Sequence, residues 1–467
     1  MTKEKTMKRI RFLSIQWHIT HRCSNHCRHC YLAEPAVRER SGGTTPDIGH
    51  LCKILDRISE FEQKWQATID GVAIGGGDPL LHPEWRQLII ELKKRGKKVF
   101  LMANPETLTA ENLEQLASLD VAKVQLSLDG LEETHDYFRS PGSFQRTVAA
   151  LERLKQYNLP SQVMFTLFPQ NYDQLLPLLR FVAVDTAADA FSFDLGCATG
   201  AAASLGGRLS AAQVKAAFEG YLAEKKRLKE SGYPIEIIEK NSLFRIVRFE
   251  QNEFFPFDSP EYPVISGCLA GWTSITIDAD GSVLPCRRMP LVAGKLPDES
   301  LEKVLFESPV MKRFRRPQFY KVCQKCKFYK YCRGCAALGS ALKGDPFDTT
   351  PFCFADGLAR STAPYPPSFI SLDTTIEEEH ELVASHFANF FAVSLEQWLD
   401  KRDICRTLFC LSQSPTLHSQ FFSKPESDEC IAGVKLDNED RLFLQYFLER
   451  FPPDSNKALY YALLTGE

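Results

Sequence analysis

Short apolar runs alternate with longer amphipathic runs from residue 12 to about residue 195. The short runs are rich in β-branched and aromatic residues and are bounded by Gly, Asp, Asn or Pro, which is typical of strands. Their sequences are "FLSIQWHIT", "GVAIGG", "KVFLMAN", "AKVQLSLDG", "SQVMFTLF" and "AFSFDL". The runs between them, such as "PEWRQLIIELKKRG", carry apolar residues at helical spacing and end in a Gly suited to a helix stop.

This alternation predicts an α/β fold, with a parallel sheet and right-handed crossovers. Six strand–helix units predict a partial (β/α)6 barrel over residues 1–210, with functional loops at the carboxyl ends of the strands. Residues 211–267 are then expected to form a helical connection, and residues 268–360 a small cysteine-rich domain. Residues 361–467 read as a mainly helical extension of unknown role.

Composition and charge narrow the class of protein. The start, "MTKEKTMKRIRF", is charged, and no stretch approaches the roughly 20 apolar residues that span a bilayer. The formal charge of −3 gives no overall basic field, and the basic run "MKRFRRPQFYK" is interpreted as a solvated helix face. These features predict a cytoplasmic protein that has neither membrane nor nucleic-acid partners.

Fifteen cysteines are many for a chain in a reducing compartment, where cysteine clusters usually bind metal or do redox work. Ten of them fall into two sets, which are described below. The other five are scattered, and most are interpreted as buried small hydrophobic residues. These five are Cys52, Cys197, Cys405, Cys410 and Cys430.

The first set lies in "HRCSNHCRHCYL", directly after the first predicted strand, and contains Cys23, Cys27 and Cys30. A closed zinc site or an ordinary cubane cluster takes four protein ligands, so three cysteines indicate a metal centre with one open position. A zinc site completed by a histidine of this loop (His21, His26 or His29) remains an alternative.

Two further motifs follow later strands at the same predicted edge: "IGGGDPLLHPEW" after the second and "LSLDGLEETHDYFRSPGSF" after the fourth. With the three cysteines before them, they make residues 12 to about 195 resemble the radical S-adenosylmethionine (SAM) family. The resemblance implies that Cys23, Cys27 and Cys30 hold a [4Fe–4S] cluster whose fourth iron is chelated by SAM.

The resemblance also implies a set of SAM contacts. Tyr31 would lie against the adenine, the glycines would bring their backbone close to the methionine amino group, and Arg139 would balance the carboxylate. At Asp78 the family more often has Glu. In other interpretations the glycines form a plain turn, Ser127 and Asp129 are turn or cap residues, and Arg139 is a surface cation. The full set is Tyr31, Gly75, Gly76, Gly77, Asp78, Ser127, Asp129 and Arg139.

The second cysteine set comprises Cys268, Cys286, Cys323, Cys326, Cys332, Cys335 and Cys353. Four cysteines within thirteen residues bind a metal, either zinc or iron–sulfur. The array of seven resembles the SPASM extension of radical SAM enzymes, which carries two auxiliary [4Fe–4S] clusters. That resemblance implies one cluster on Cys323, Cys326, Cys332 and Cys353. It implies a second cluster on Cys268, Cys286 and Cys335, with its fourth ligand unidentified.

Two departures from the SPASM pattern bear on function. Arg287 follows Cys286 where sulfatase-maturing members have an Asp base, so sulfatase maturation is not expected. The pair Cys332-Arg-Gly-Cys335 is one residue shorter than in many members and is similar to the haem-modifying branch and to several peptide maturases.

The resemblance implies an enzyme that reductively cleaves SAM to a 5′-deoxyadenosyl radical and takes its electrons from an external flavodoxin or ferredoxin. The favoured hypothesis is an oxidoreductase that crosslinks or dehydrogenates a ribosomally made precursor peptide. Tetrapyrrole side-chain modification and a non-catalytic zinc-binding module remain as alternatives. No catalytic residue is assigned from the sequence.

Overall fold

The computed structural model describes residues 11–12, 15–34, 45–251, 267–348, 352–355 and 371–384. Its strands are β1 (Arg11–Phe12), β2 (Ile15–Thr20), β3 (Thr68–Ile69), β4 (Gly71–Gly76), β5 (Lys98–Met102), β6 (Lys123–Ser127), β7 (Ser161–Leu167), β8 (Ala190–Leu195), β9 (Glu236–Ile238), β10 (Thr276–Ile277), β11 (Ser282–Leu284) and β12 (Gly294–Lys295). Ten of these strands form one sheet in the order β12-β11-β10-β2-β4-β5-β6-β7-β8-β9.

Helices connect most of these strands. They are α1 (Ile48–Trp65), α2 (Trp85–Lys94), α3 (Ala110–Ser118), α4 (Glu132–Phe138), α5 (Ser143–Gln156), α6 (Leu175–Asp185), α7 (Ala211–Glu230), α8 (Phe244–Glu250), α9 (Pro309–Phe314) and α10 (Ala336–Lys343). Residues 376–384 are also helical. None of the helices in these described ranges is long and apolar enough to cross a bilayer.

The prediction of an α/β fold with six parallel barrel strands is confirmed, and the observed sheet is larger. Strands β2, β4, β5, β6, β7 and β8 pair in parallel in chain order. Strand β9, within the segment expected to be a helical connection, adds a parallel strand beside β8. On the other side, β10 of the cysteine-rich region pairs in parallel with β2 and continues into the antiparallel strands β11 and β12.

Strand β2 therefore lies inside the sheet and is covered on both faces. Its alternating residues Ile15, Trp17 and Ile19 are buried, and so are His18 and Thr20 on the other face. Burial of both faces is the usual environment of a parallel strand in an α/β sheet. The position of β2 between β4 and β10 fixes the backbone from which the first cysteine set departs.

The basic run "MKRFRRPQFYK" is not the solvated helix face that its charge suggests. Arg315 and Arg316 are buried, and both pair with Glu379 from the helical residues 376–384. Nearby, Trp65 at the end of α1 stacks on His380 with ring centroids 4.7 Å apart. The start of the predicted C-terminal extension thus packs into the core, and the remainder of residues 361–467 lies outside the described residues.

Candidate active site

The first cysteine set lies on a loop that leaves the carboxyl end of β2. We call residues 21–30 the cysteine loop. Cys23, Cys27 and Cys30 all line one cavity of about 560 Å³ at the carboxyl ends of the strands. Asn104, which follows β5, donates a hydrogen bond from Nδ2 to the Cys23 Sγ over 3.2 Å. The three thiols therefore face a shared space large enough for a bound group.

Electrostatic contacts link the three thiols. Burial raises the pKa of Cys27 and of Cys30, and the charges of neighbouring loop thiols raise both values further, while Arg139 opposes these effects. Metal ligation needs the thiolate, so a metal centre here would displace protons from thiols that burial keeps neutral. A donor set of three thiols facing a cavity fits an iron–sulfur cluster.

The spacing of the sulfur atoms argues against a single zinc ion. Thiolates at 2.3 Å from one tetrahedral zinc lie about 3.8 Å from each other. Within the described residues, the one group of three ligating side chains whose atoms all lie within 4.8 Å is His18, His21 and Asp278. No three cysteine sulfurs meet this limit there, so the described cysteines do not form a preassembled tetrahedral zinc site.

The glycine motif after β4 packs against the start of the cysteine loop. Gly77 N donates to Thr20 O over 2.8 Å, and Asp78 N donates to Arg22 O over 2.8 Å. A Cβ at Gly77 would lie 2.1 Å from Arg22 O. At Gly76, φ is +116° and a Cβ would lie 2.2 Å from Thr20 O. The absence of side chains here allows close backbone contact with the cysteine loop, in addition to any approach of SAM.

The motif after β6 forms a buried charge cluster beside the cavity. Arg139 donates from Nε to Asp129 Oδ2 over 2.7 Å, and His29 Nε2 lies 3.3 Å from the same oxygen. Burial alone would raise the pKa of Asp129, but the charges of Arg139, His29 and His135 and the hydrogen bond from Arg139 together outweigh it and lower the value to about 2. The Arg139 Nη1 lies 3.8 Å from Cys27 Sγ. Asp129 therefore holds the Arg139 guanidinium against the cysteine loop.

A second polar network, which the sequence did not indicate, connects the cavity to β10. Tyr31 lines the cavity and its hydroxyl lies 3.3 Å from His18 Nε2. His18 Nδ1 is 3.4 Å from Asp278 Oδ1, and His21 Nε2 is 2.6 Å from that oxygen. Burial would raise the pKa of Asp278, but hydrogen bonds from His18 and His21 outweigh it and lower the value. Asp278 thus ties the cysteine loop to the cysteine-rich region.

A second part of the cavity wall carries positive charge. Arg287 donates from Nη1 to Gln16 Oε1 over 2.9 Å, and Arg288 donates from Nη1 to Leu195 O over 2.8 Å. One carboxylate, Asp194, lies 3.4 Å from Arg288 Nη2 and also lines this wall. Together with Arg139, three guanidinium groups border the cavity, an arrangement suited to a carboxylate-bearing ligand.

Electrostatic contacts within the second cysteine set join thiols that the SPASM resemblance assigns to the same cluster. Burial raises the pKa of Cys323, and the negative charges of three neighbouring thiolates raise it further. These neighbours are Cys332, Cys353 and Cys326. In the other group, Cys286 acts on Cys268 and Cys268 acts on Cys335. Each group is thus close in space.

Five of the eight predicted SAM contacts line the cavity, namely Tyr31, Gly76, Gly77, Ser127 and Arg139. The other three lie behind its wall: Gly75 packs against Met102, Asp129 holds Arg139, and Asp78 accepts a hydrogen bond from Thr107 over 2.7 Å. Sequence reasoning missed Asn104 and Arg288. Each had a positional signal, because Asn104 ends a strand run and Arg288 lies two residues after Cys286.

Comparison with known families agrees with this arrangement. The sequence pattern of the family described as "Radical SAM superfamily" matches residues 17–182. A second pattern, SPASM, described as "Iron-sulfur cluster-binding domain", matches residues 268–336. Together they cover the barrel strands from β2 to β7 and most of the cysteine-rich region.

Similar proteins make different products. An AdoMet-dependent heme synthase of Methanosarcina barkeri is 26% identical over 346 residues, which are 73% of this chain and 95% of that one. The antilisterial bacteriocin subtilosin biosynthesis protein AlbA of Bacillus subtilis is 27% identical over 346 residues, 70% of this chain and 68% of that one. The crystal structure of Streptococcus suis SuiB bound to precursor peptide SuiA has a TM-score of 0.57 at 19% identity, and the match covers 73% of this chain and 76% of that one. The structural likeness supports the fold.

Proposed function

Because this chain belongs to the radical SAM superfamily and carries a SPASM domain, we propose that it oxidatively modifies a ribosomally made peptide, by crosslinking or dehydrogenation. Such a chain uses a SAM-binding [4Fe–4S] cluster, two auxiliary [4Fe–4S] clusters and SAM. When bound, the first cluster and SAM supply a 5′-deoxyadenosyl radical that removes hydrogen from unactivated carbon. In this proposal Cys23, Cys27 and Cys30 hold that cluster, and the seven cysteines of the second set hold the auxiliary clusters.

One observation carries the oxidative part of the proposal: a single cavity touches both cysteine regions. The cysteine loop and Arg288 both line it, and Arg288 donates from Nη2 to the Cys335 Sγ over 3.5 Å. A substrate bound in this cavity would lie between the two regions. An electron leaving the substrate would then have an acceptor beside it, which favours a net oxidation.

The residues of this chain would position the reactants and exclude water. Asp129 holds Arg139 at the cysteine loop, where its remaining N–H groups can bind a carboxylate. Gly76 and Gly77 form a wall without side chains, so a ligand can contact the backbone. His29 also lines the cavity, and its buried Nδ1 has no hydrogen-bond partner within the described residues, which leaves this atom for a bound ligand.

The relatives support a peptide substrate. A bacteriocin is a ribosomally made peptide, and the relative that serves bacteriocin biosynthesis matches 70% of this chain. The solved structure of similar fold contains a precursor peptide. We propose a precursor peptide as the substrate partner and a flavodoxin or ferredoxin as the electron donor.

Tetrapyrrole side-chain modification is the second candidate function. The cationic border of Arg139, Arg287 and Arg288 favours it, because propionate side chains would pair with guanidinium groups. The heme synthase relative is matched over nearly its whole length. Acidic residues of a peptide would use the same cations, so charge alone does not separate the two candidates.

A direct comparison of substrates tests the proposal. The full-length protein is reconstituted anaerobically with iron, sulfide, SAM and reductant, and is offered short peptides encoded beside its gene. In parallel it is offered an iron tetrapyrrole that carries propionate side chains. We expect one peptide to lose the mass of two hydrogen atoms while 5′-deoxyadenosine forms. Product formation from the tetrapyrrole alone would overturn the proposal in favour of the second candidate.

A further inference from the structure

Cys197 lies on the loop that follows β8 and does not behave as a simple space-filling residue. Its side chain is 5% exposed and borders the cavity beside Leu195 and Arg288. The backbone holds it firmly: Gly196 N donates to Leu167 O over 2.8 Å, and Thr199 N donates back to Cys197 O over 2.8 Å. The thiol is therefore presented from a fixed turn at the carboxyl end of a barrel strand.

The neighbours of this thiol are the cysteines assigned to the first auxiliary cluster. Cys197 lies close enough to Cys286 and to Cys335 for the thiolate forms of these side chains to repel one another. The Arg288 guanidinium links the end of β8 to Cys335, because it donates to Leu195 O from Nη1 and to Cys335 Sγ from Nη2. Cys197, which is buried, thus joins the half-buried Cys268, Cys286 and Cys335 as the fourth thiol of one group.

We propose that Cys197 is the fourth protein ligand of the first auxiliary [4Fe–4S] cluster. A cubane with complete protein ligation takes four cysteines, and the SPASM segment offers this cluster three. The barrel supplies the missing one. The inference rests on the assignment of Cys268, Cys286 and Cys335 as ligands and does not depend on a peptide being the substrate.

The surrounding charge suits a thiolate ligand. Arg288 approaches from one side, and Arg333 donates from Nη2 to Cys268 O over 2.6 Å on another. These cations offset the negative charge that a cluster with four thiolates brings into the interior.

Complete ligation restricts what this cluster can do. An auxiliary cluster with an open iron could bind a substrate thiolate, whereas a cluster closed by Cys197 cannot. It would instead accept electrons. The same loop also touches the cysteine loop, since Ala201 N donates to Cys30 O over 3.0 Å. One short segment thus contacts both cysteine regions and would set the distance between an electron donor and its acceptor.

Spectroscopy of the auxiliary clusters alone tests the proposal without SAM or substrate. The full-length chain in which Cys23, Cys27 and Cys30 are replaced by Ala isolates these clusters, with about eight irons expected per chain. On this background Cys197→Ala and Cys197→Ser are compared with Cys52→Ala, a control on α1. We expect mild ferricyanide oxidation to convert about one cluster per chain to the [3Fe–4S] form in Cys197→Ala. The background protein and the Cys52→Ala control should show almost none.

Added 2-mercaptoethanol should change the electron paramagnetic resonance signal of the reduced Cys197→Ala protein and leave the background protein unchanged. Loss of one whole cluster in Cys197→Ala, with retention in Cys197→Ser, would also support ligation. Equal behaviour of Cys197→Ala and Cys52→Ala would overturn the proposal. Mössbauer spectra of the background protein give a check that is independent of variant folding. An iron subsite without thiolate ligation there would refute the proposal, and uniform thiolate ligation would support it.

Discussion

Replacing Glu379 by Gln removes the one negative charge between two buried cations. The side chains of Glu379, Arg315 and Arg316 all have 0% exposure, and Arg315 Nε lies 2.6 Å from Glu379 Oε2. Removing one partner of a buried ion pair costs about 3–5 kcal/mol, because the remaining charge stays buried and uncompensated. Full burial leaves no solvent to screen the pair. We therefore expect Glu379→Gln to lower the free energy of unfolding by about 4 kcal/mol.

Urea unfolding followed by tryptophan fluorescence at pH 7 measures this difference, with Glu377→Gln as an exposed control on the same helix. Burial would raise the pKa of Glu379, but the Arg315 and Arg316 charges outweigh it and lower the value below 4.5. The stabilisation is therefore present above about pH 4.5 and is lost as the pH falls through the lowered pKa. A difference below about 1 kcal/mol at pH 7, equal to that of the control, would refute the reasoning.

The same contacts decide where a truncation can be informative. Arg316 donates to Ser371 O over 2.7 Å and to Thr374 Oγ1 over 2.8 Å. Deleting the chain from Ser371 would remove these acceptors together with Glu379, and we expect aggregation or loss of the auxiliary clusters. A deletion that begins after residue 384 leaves the ion pairs intact. If the deletion after residue 384 is by itself enough to abolish peptide binding, the removed residues recognise the peptide.

Three further predictions follow from the site. Replacing the three cysteines of the cysteine loop by Ala should remove about a third of the bound iron and all formation of 5′-deoxyadenosine, and persisting SAM cleavage would contradict the assignment of that loop. Gly77→Ala should displace the backbone of the cysteine loop, because the new Cβ would lie 2.1 Å from Arg22 O, and about a third of the iron should then be lost. Iron retention equal to that of the control Gly49→Ala would disprove this. Burial raises the pKa of Asp78 to about 6, so stability should fall by about 3 kcal/mol as the pH rises from about 4 to 6. Urea titrations across that range should show this fall as the difference between the parent protein and Asp78→Asn, which retains the other titrating groups, and equal pH dependence of the two proteins would contradict it.

The fold was predictable wherever the signal was local. Six strands could be read from the sequence because each is a short apolar run next to an amphipathic helix. Strands β9 and β10 were missed because they have three and two residues and form only by pairing with β8 and β2. Such short strands carry almost no periodicity, and their existence depends on partners that are distant in the sequence.

The residues of the candidate site were likewise predictable where the sequence signal was local and not where it depended on distant contacts. The cysteine spacing and the glycine motif indicated which residues border the cavity, because these features are contiguous in the chain. The burial of Arg315 and Arg316 was not predictable from a run of positive charge, since it depends on Glu379 more than sixty residues later. The surroundings of Cys197 likewise appear only when β8 and the cysteine-rich region are brought together.

The pairing of β10 with β2 also has a kinetic consequence. The partners are separated by about 260 residues, since Thr276 aligns with Gln16 and Ile277 with Trp17. Until residue 277 has been synthesised, one edge of β2 has no strand beside it, and the segment carrying the cysteine loop lacks its Asp278 anchor. Contacts between such distant residues form late and slowly. During that interval an exposed edge strand invites association with other chains. We therefore expect iron delivery to succeed after translation has passed the SPASM strands, and a chain that ends at residue 267 to aggregate.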